Sequence, residues 1–193
     1  MTQLPLRNDS TYYGLIAVLL HWLMAMLVIG LFALGLYIAD LDYYDRWYIQ
    51  GPAWHFGLGV ATALLLVIRL GWRLSNPRPR MTGRPWEQRA ALQVQRLFYA
   101  LIAAIVISGY LTTTADGKPL PVFGWIDIPA TFHGYPNQED ITGKAHEWLA
   151  WALMALAVLH SLAALKHHFF DRDATLRRML RPGKPRPSSH NSR

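Results

Sequence analysis

Four apolar stretches divide the chain, roughly Leu15 to Ala39, Trp54 to Leu74, Leu97 to Thr114 and Lys144 to Leu165. Each is close to the ~20 residues that a helix needs to cross ~30 Å of hydrocarbon. The runs are continuous, whereas barrel strands would alternate apolar and polar positions over segments of about ten residues. The pattern therefore predicts four transmembrane helices, which satisfy their own backbone polar groups where no water is available. The first stretch could be confused with a secretory signal. It is too long for one, follows a single basic residue, Arg7, and lacks a small-residue cleavage site, so it is expected to be a retained span.

The connections differ in character. "SNPRPRMTGRP" cannot continue a helix through its prolines and predicts a loop between the second and third spans. The longest connection, residues 115–143, contains "DGKPLPVFGWIDIPATFHGYP" and is expected to form an ordered cap, with Trp125 and Tyr135 as interface anchors. Residues 1–182 then make one transmembrane domain. Residues 183–193, including His190, read as a disordered, solvated tail. No internal repeat is apparent.

Charge gives the spans a direction. Sixteen Lys and Arg residues fall on the N-terminal arm, the second connection and the tail, against three (Arg46, Lys118 and Lys144) on the first and third connections. Under the positive-inside rule both termini and the arginine-rich loop face the cytoplasm. The composition, 52% hydrophobic and 16% charged, fits a membrane protein, and the net charge of +7 is first a topology signal. Nucleic-acid binding is disfavoured, because the basic residues flank spans and do not interleave with a stacking platform. Anionic lipid headgroups are a sufficient partner for the tail.

Cysteine is absent. That excludes disulfides, thiolate metal sites, iron–sulfur clusters held by the chain's own thiolates, and covalent haem attachment through C-x-x-C-H. A bound cofactor must be held by histidine, carboxylate or packing.

The histidines are placed accordingly. "HEWLAWALMALAVLH" begins at His146 and ends at His160, fourteen residues on. At helical pitch these two lie within about 40° of one face and ~21 Å apart along the axis. They cannot share a metal, but they can serve two sites, one near each membrane surface. With the spans threaded alternately, His55 shares the outer level with His146 and His21 the inner level with His160. A lone histidine in an apolar helix is commonly a hydrogen-bonded bundle residue, since an unsatisfied polar group in hydrocarbon costs roughly 2–7 kcal/mol. Four histidines in two depth-matched pairs favour ligation. Structural zinc would want four donors per site, and no further Cys, Asp or Glu lies at the right depth. Haem wants two axial nitrogens and an apolar slot, for which Gly30, Gly35, Gly57, Gly59, Ala61, Ala150 and Ala152 leave room, although ordinary helix packing uses small residues too. Bis-histidine ligation fills both axial positions of haem iron and leaves one-electron transfer as the natural activity.

The motifs "LLHWL" at His21, "WHFGLGV" at His55 followed by "VIRLGWRL", "GKPLPVFGWIDIP", "AHEWLAWAL" at His146 and "LHSLAALKHHFFDRDATLRRML" from His160 stand in an order and spacing that resemble the bacterial cytochrome b561 family. The resemblance covers roughly residues 10–182. It implies an all-α integral membrane fold, a four-helix bundle enclosing two b-type haems, in the bacterial inner membrane. It also implies haem iron ligated by His21 with His160 and by His55 with His146, and ubiquinone as an electron partner. The family includes a superoxide oxidase that passes an electron from superoxide, outside, to quinone near the inner haem. His167 and His168 match paired histidines there, one of which is linked to the quinone site; alternatively they mark, with Lys166, the lipid headgroup boundary. Periplasmic redox donors and hydrogenase subunits remain open as partners.

Several charged residues have two readings. Arg69, Arg73 and Arg96 lie near the inner level, where they either pair with haem propionates or snorkel to lipid phosphates. Glu147 beside His146 serves in ligand orientation or proton traffic, or faces a polar rim. Capture of superoxide requires local positive charge, and on the outer side only the lysines Lys118 and Lys144 are offered, in the company of Asp116, Asp127, Glu139 and Asp140. Against the redox reading stands a channel or transporter subunit whose histidines relay protons or bind metal ions. The spans lack the broken helices typical of such paths.

Overall fold

The computed structural model describes residues 5–183. The expected tail at residues 184–193, with His190, lies outside the described residues. Four long helices, α1 (Leu15–Ala39), α2 (Gln50–Ser75), α3 (Pro85–Thr113) and α4 (Gln138–Phe169), are each long and apolar enough to cross a membrane. A two-stranded hairpin, β1 (Leu120–Val122) and β2 (Ile126–Ile128), lies between α3 and α4, and a short helix, α5 (Thr175–Leu180), follows α4.

The first helix begins and ends where its apolar run does. The others are longer than their apolar cores. α3 starts twelve residues before Leu97, because "PWEQRAALQVQR" is helix-forming sequence with Pro85 at its first position and Glu87 accepting the backbone N–H of Arg84 at 2.7 Å. α4 gains a polar turn at each end, acidic at the start (Glu139, Asp140) and basic at the finish (Lys166, His167, His168), as the helix dipole favours. Hydropathy locates the lipid-crossing part of a helix and is blind to these polar extensions.

α1 packs on α2, α3 on α4, and α2 on α3. A buried apolar cluster takes one residue from each helix, Met24, Leu65, Ile102 and Leu153. Leu153 stands seven residues from His146 and seven from His160, so on α4 this cluster separates the two histidine levels. Outside it the long helices expose Leu, Ile, Val and Trp side chains, among them Leu64, Val67, Ile107 and Leu159. In a soluble protein these would form large apolar patches; here lipid tails cover them.

The cap is ordered, as its composition predicts, but it contains a hairpin that the all-helical expectation omitted. Register runs Leu120 opposite Ile128 and Val122 opposite Ile126. The turn takes positive φ at Phe123 (52°) and Gly124 (73°), and the N–H of Trp125 returns to the carbonyl of Val122 at 3.0 Å. This turn presses the Phe123 ring onto Gly57, where a Cβ would have no room. Tyr110 ties the cap to α3, its hydroxyl donating to Pro129 O and accepting from Thr131 N, each at 2.8 Å. Trp125 and Tyr135 are exposed, in keeping with anchors at a membrane surface.

The opposite end of the bundle is braced by polar contacts. Trp22 donates to the carbonyl of Met179 at 2.8 Å, tying α1 to α5. Lys166 bridges Glu87 at 3.1 Å and Asp171 at 2.8 Å, tying α3 to α4 and the turn beyond it. Thr82 donates to Asp173 at 3.1 Å. Burial raises the Asp173 carboxyl, but hydrogen bonds from the backbone and side chain of Thr175 and from Thr82 outweigh it, leaving the acid below its ordinary range.

Candidate functional site

Two histidine pairs occupy the bundle, one at each end. His21 on α1 and His160 on α4 have ring centroids 6.4 Å apart with planes at 67°. His55 on α2 and His146 on α4 have centroids 6.1 Å apart with planes at 68°. The pairing expected from depth is thus the pairing the fold makes. No hydrogen bond joins the two rings of either pair among the described residues, and each pair leaves several ångströms between ring centres.

The gap has a definite chemical scale. A metal–imidazole nitrogen bond is about 2 Å, so two imidazoles on opposite sides of one ion have their centroids about 6 Å apart. Both pairs meet that figure. Each pair bridges helices that do not otherwise pack closely: α4 meets α1 through His21–His160 and through an edge contact of Phe32 with Trp151 at 4.9 Å. A Cβ added at Gly30 or Gly59 would meet no atom within 4 Å, so neither glycine is needed for close packing against a neighbour. Gly57 is a correction to the expected slot, since its missing side chain makes room for Phe123.

The surroundings of the four rings differ. Nδ1 of His146 lies 2.9 Å from the carbonyl of Ile105 and 3.3 Å from the hydroxyl of Ser108, both on α3. A carbonyl only accepts, so this contact places the proton on Nδ1 and leaves the Nε2 lone pair free. Gly109 backs the same ring; a Cβ there would stand 3.0 Å from Cε1 of His146. Across the gap, Nδ1 of His55 is buried with no hydrogen-bond partner, and Gly35 lies against its ring, 3.3 Å from a notional Cβ to Cε1. Ile105, Ser108 and Gly109 were missed from the sequence. The small pair in "ISGY", at the outer depth of the third span, is the signal that could have found them.

At the other end, Arg69 reaches the ring of His21 with Nη2 at 3.0 Å from Nδ1, donates from Nη1 to the carbonyl of Leu20 at 3.0 Å, and from Nε to the hydroxyl of Tyr99 at 3.4 Å. It does not snorkel. Arg73 instead lays its guanidinium over the Tyr99 ring, 5.4 Å from the centroid. Arg96 is exposed. Phe98 packs edge-on against His160 at 5.4 Å.

His167 and His168 part company. Nδ1 of His167 is 2.9 Å from Asp171 and 3.1 Å from Asp173, close enough for ion pairing but off the direction of a ring hydrogen bond. With Glu87 and Asp171 it forms a cluster of three possible metal donors within 4.8 Å of one another. The ammonium of Lys166 already occupies the space between those carboxylates, which makes the cluster an ion-pair network. His168 is exposed and edge-on to Phe169. At the hairpin end, Lys118 is paired with Asp116 at 2.6 Å, which holds the acid low and the amine high, while Lys144 and Glu147 are exposed on α4.

Two depth-matched imidazole pairs in a four-span bundle agree with a family model described as prokaryotic cytochrome b561, which matches residues 12–182. The chain belongs to the prokaryotic cytochrome b561 family. It is 47% identical over 175 residues to cytochrome b561 homolog 2 of Escherichia coli K12, covering 90% of this chain and 93% of that one. It is 28% identical over 171 residues to the probable superoxide oxidase CybB of Yersinia pestis, covering 87% and 95%. Cytochrome b562 of Cereibacter sphaeroides is 26% identical over 174 residues, covering 88% and 96%. Membership makes the chain a multi-pass bacterial membrane cytochrome of electron transport, and the family implies haem b.

Proposed function

We propose that this cytochrome holds two b-type haems, one clamped by His21 and His160 and the other by His55 and His146, and moves electrons across the bacterial inner membrane between a donor outside and ubiquinone. The observation that carries the reading is the pair of centroid separations, 6.4 and 6.1 Å, each the spacing of two imidazoles on one iron. The ring environments support it: His146 has Nδ1 engaged by a carbonyl and Nε2 free, His55 keeps an unpartnered buried nitrogen, and Gly35 and Gly109 lie against these two rings. Haem supplies a one-electron couple that no side chain here can provide.

The chain's own residues do the rest. His21, His160, His55 and His146 would hold the haems, whose chemistry, with both ligand places taken by imidazole, would be one-electron transfer rather than binding of small molecules. Met24, Leu65, Ile102 and Leu153 form an apolar layer between the two levels that excludes water and protons from the path. The arginine-rich end is cytoplasmic by the positive-inside rule, both termini with it. There Arg73 offers charge to haem propionates, and His167 and His168 flank the quinone. His168 is the one its surroundings leave open to donate a hydrogen bond and then a proton to a quinone oxygen.

Outside, superoxide is the donor to test, on the strength of the 28% relative's name. Lys118 is compensated by Asp116, so Lys144, two residues before His146, is the lysine placed to attract a small anion. Pyridine haemochrome assay of the purified protein should give two haem b per chain; one or none sinks the two-site reading. Stopped-flow mixing with superoxide should then reduce haem rapidly and a quinone analogue reoxidise it. Sluggish reduction by superoxide alongside fast exchange with another donor would make the protein a carrier serving a periplasmic partner.

A further inference from the structure

We infer that Arg69 creates a redox difference between the two sites, its fixed positive charge beside His21 making the site at the arginine-rich end the easier to reduce. This rests on the bis-histidine reading above. Arg69 stands in the apolar body of α2, six residues before its end, between the exposed Ile68 and Leu70. All three of its described hydrogen-bond contacts turn inward, to His21, Leu20 and Tyr99. No carboxylate pairs with it among the described salt bridges. A guanidinium does not lose its proton in a protein, so a full positive charge is lodged in the bundle against one candidate ligand.

The other site has the opposite arrangement. Nδ1–H of His146 points at the Ile105 carbonyl, a neutral acceptor that raises the ring's basicity and so favours the more positive, oxidised metal. A neighbouring cation in a low-dielectric interior disfavours that same oxidised state. The electron exchange between the sites needs no bond making and no proton: the outer iron gives one electron and is oxidised, the inner takes it and is reduced, and the equilibrium lies inward. A guanidinium has only donors, so its 3.0 Å contact addresses the Nδ1 lone pair of the unligated ring. Ligation through Nε2 moves the ring proton to Nδ1; Arg69 then keeps its bonds to Leu20 and Tyr99, and its charge stays beside the ring. The competing outcome is an anionic ring held by Arg69, which would lower the inner potential and reverse the sign.

The test is a spectroelectrochemical titration of the haem-loaded protein, wild type against Arg69→Gln and Arg69→Lys, with His146→Ala identifying the inner wave. In wild type the inner wave must be the higher of the two; the reverse order overturns the inference whatever the variants do. Arg69→Gln should shift the inner reduction equilibrium by roughly tenfold or more toward the oxidised form, about 59 mV for one electron, and leave the outer wave in place. Arg69→Lys, keeping the charge, should recover most of that shift. An unmoved or raised inner wave in Arg69→Gln, or Arg69→Lys behaving like Gln, overturns it, the latter by reducing Arg69 to a structural clamp. Wild-type protein carrying no haem would bring down the ligand assignment instead.

Discussion

The two histidine pairs are nearly the same in ring geometry, with centroids 6.4 and 6.1 Å apart and planes at 67° and 68°, yet their supports have little in common. At the hairpin end α3 backs His146 with a carbonyl, a hydroxyl and a glycine, all neutral. At the arginine-rich end α2 backs His21 with a cation, and α3 contributes Tyr99 and Phe98. Under the proposed ligation the spacing of the rings has to be common to both. On the same proposal the backing would set how tightly each ring is held and at what potential each site works, and there the two ends diverge.

The comparison breaks most completely at the ligands. His146→Ala should remove the haem at the hairpin end and leave the other, while His160→Ala should do the reverse, each halving the Soret absorbance per chain with a different residual spectrum. Loss of both pigments in either variant, or of neither, would contradict two independent sites. Next in size is Gly109→Leu. Its side chain must enter the space of the His146 ring, at an overpacking cost of about 1–3 kcal/mol. The haem at the hairpin end should then be substoichiometric while the other stays full, read from the haem-to-protein ratio. A fully loaded variant would mean that the ring is not held against α3.

Ser108→Ala is a finer probe. The hydroxyl is the longer of two contacts to Nδ1, at 3.3 Å against 2.9 Å for Ile105, and the carbonyl keeps the ring in place. The loss should be no more than about 0.5–1.5 kcal/mol, seen as slightly faster haem loss from that site alone in a competition with apomyoglobin. The smallest effect belongs to the other end. The folded Asp173 carboxyl lies below its ordinary value, so folding favours the anion. Its contribution is present above the unfolded carboxylate pKa and is lost as pH falls through the depressed folded one. Hydrogen-exchange protection in α5, taken relative to the intrinsic rate at each pH, should therefore fall on acidification from neutral toward pH ~3, and Asp173→Asn should flatten that dependence. Asp173→Asn should leave protection at the hairpin unchanged.

Much of this molecule was legible before any coordinates. Span number, helix type, the bounds of α1, the order of the cap and the pairing of His21 with His160 and His55 with His146 all follow from hydropathy, charge and a 1.5 Å rise per residue. The errors have a common origin. Gly57 looked like slot material because its smallness is visible, but its use, room for Phe123, depends on a hairpin turn more than sixty residues away. Arg69 had two readings from the sequence, a propionate partner or a snorkelling residue, and its turn onto His21 and Leu20 could not be foreseen because it depends on where α1 presents them.

The amino-acid order alone therefore fixed which segments enter lipid and at what depth each histidine rides, because both quantities add up along a single helix. Packing decided what stands behind each ring: Arg69 at 48 residues from His21, Ile105 at 41 from His146. Helical periodicity assigns a residue to a face and a height. Which neighbour that face meets is set by how four helices rotate against one another, and no local rule contains it.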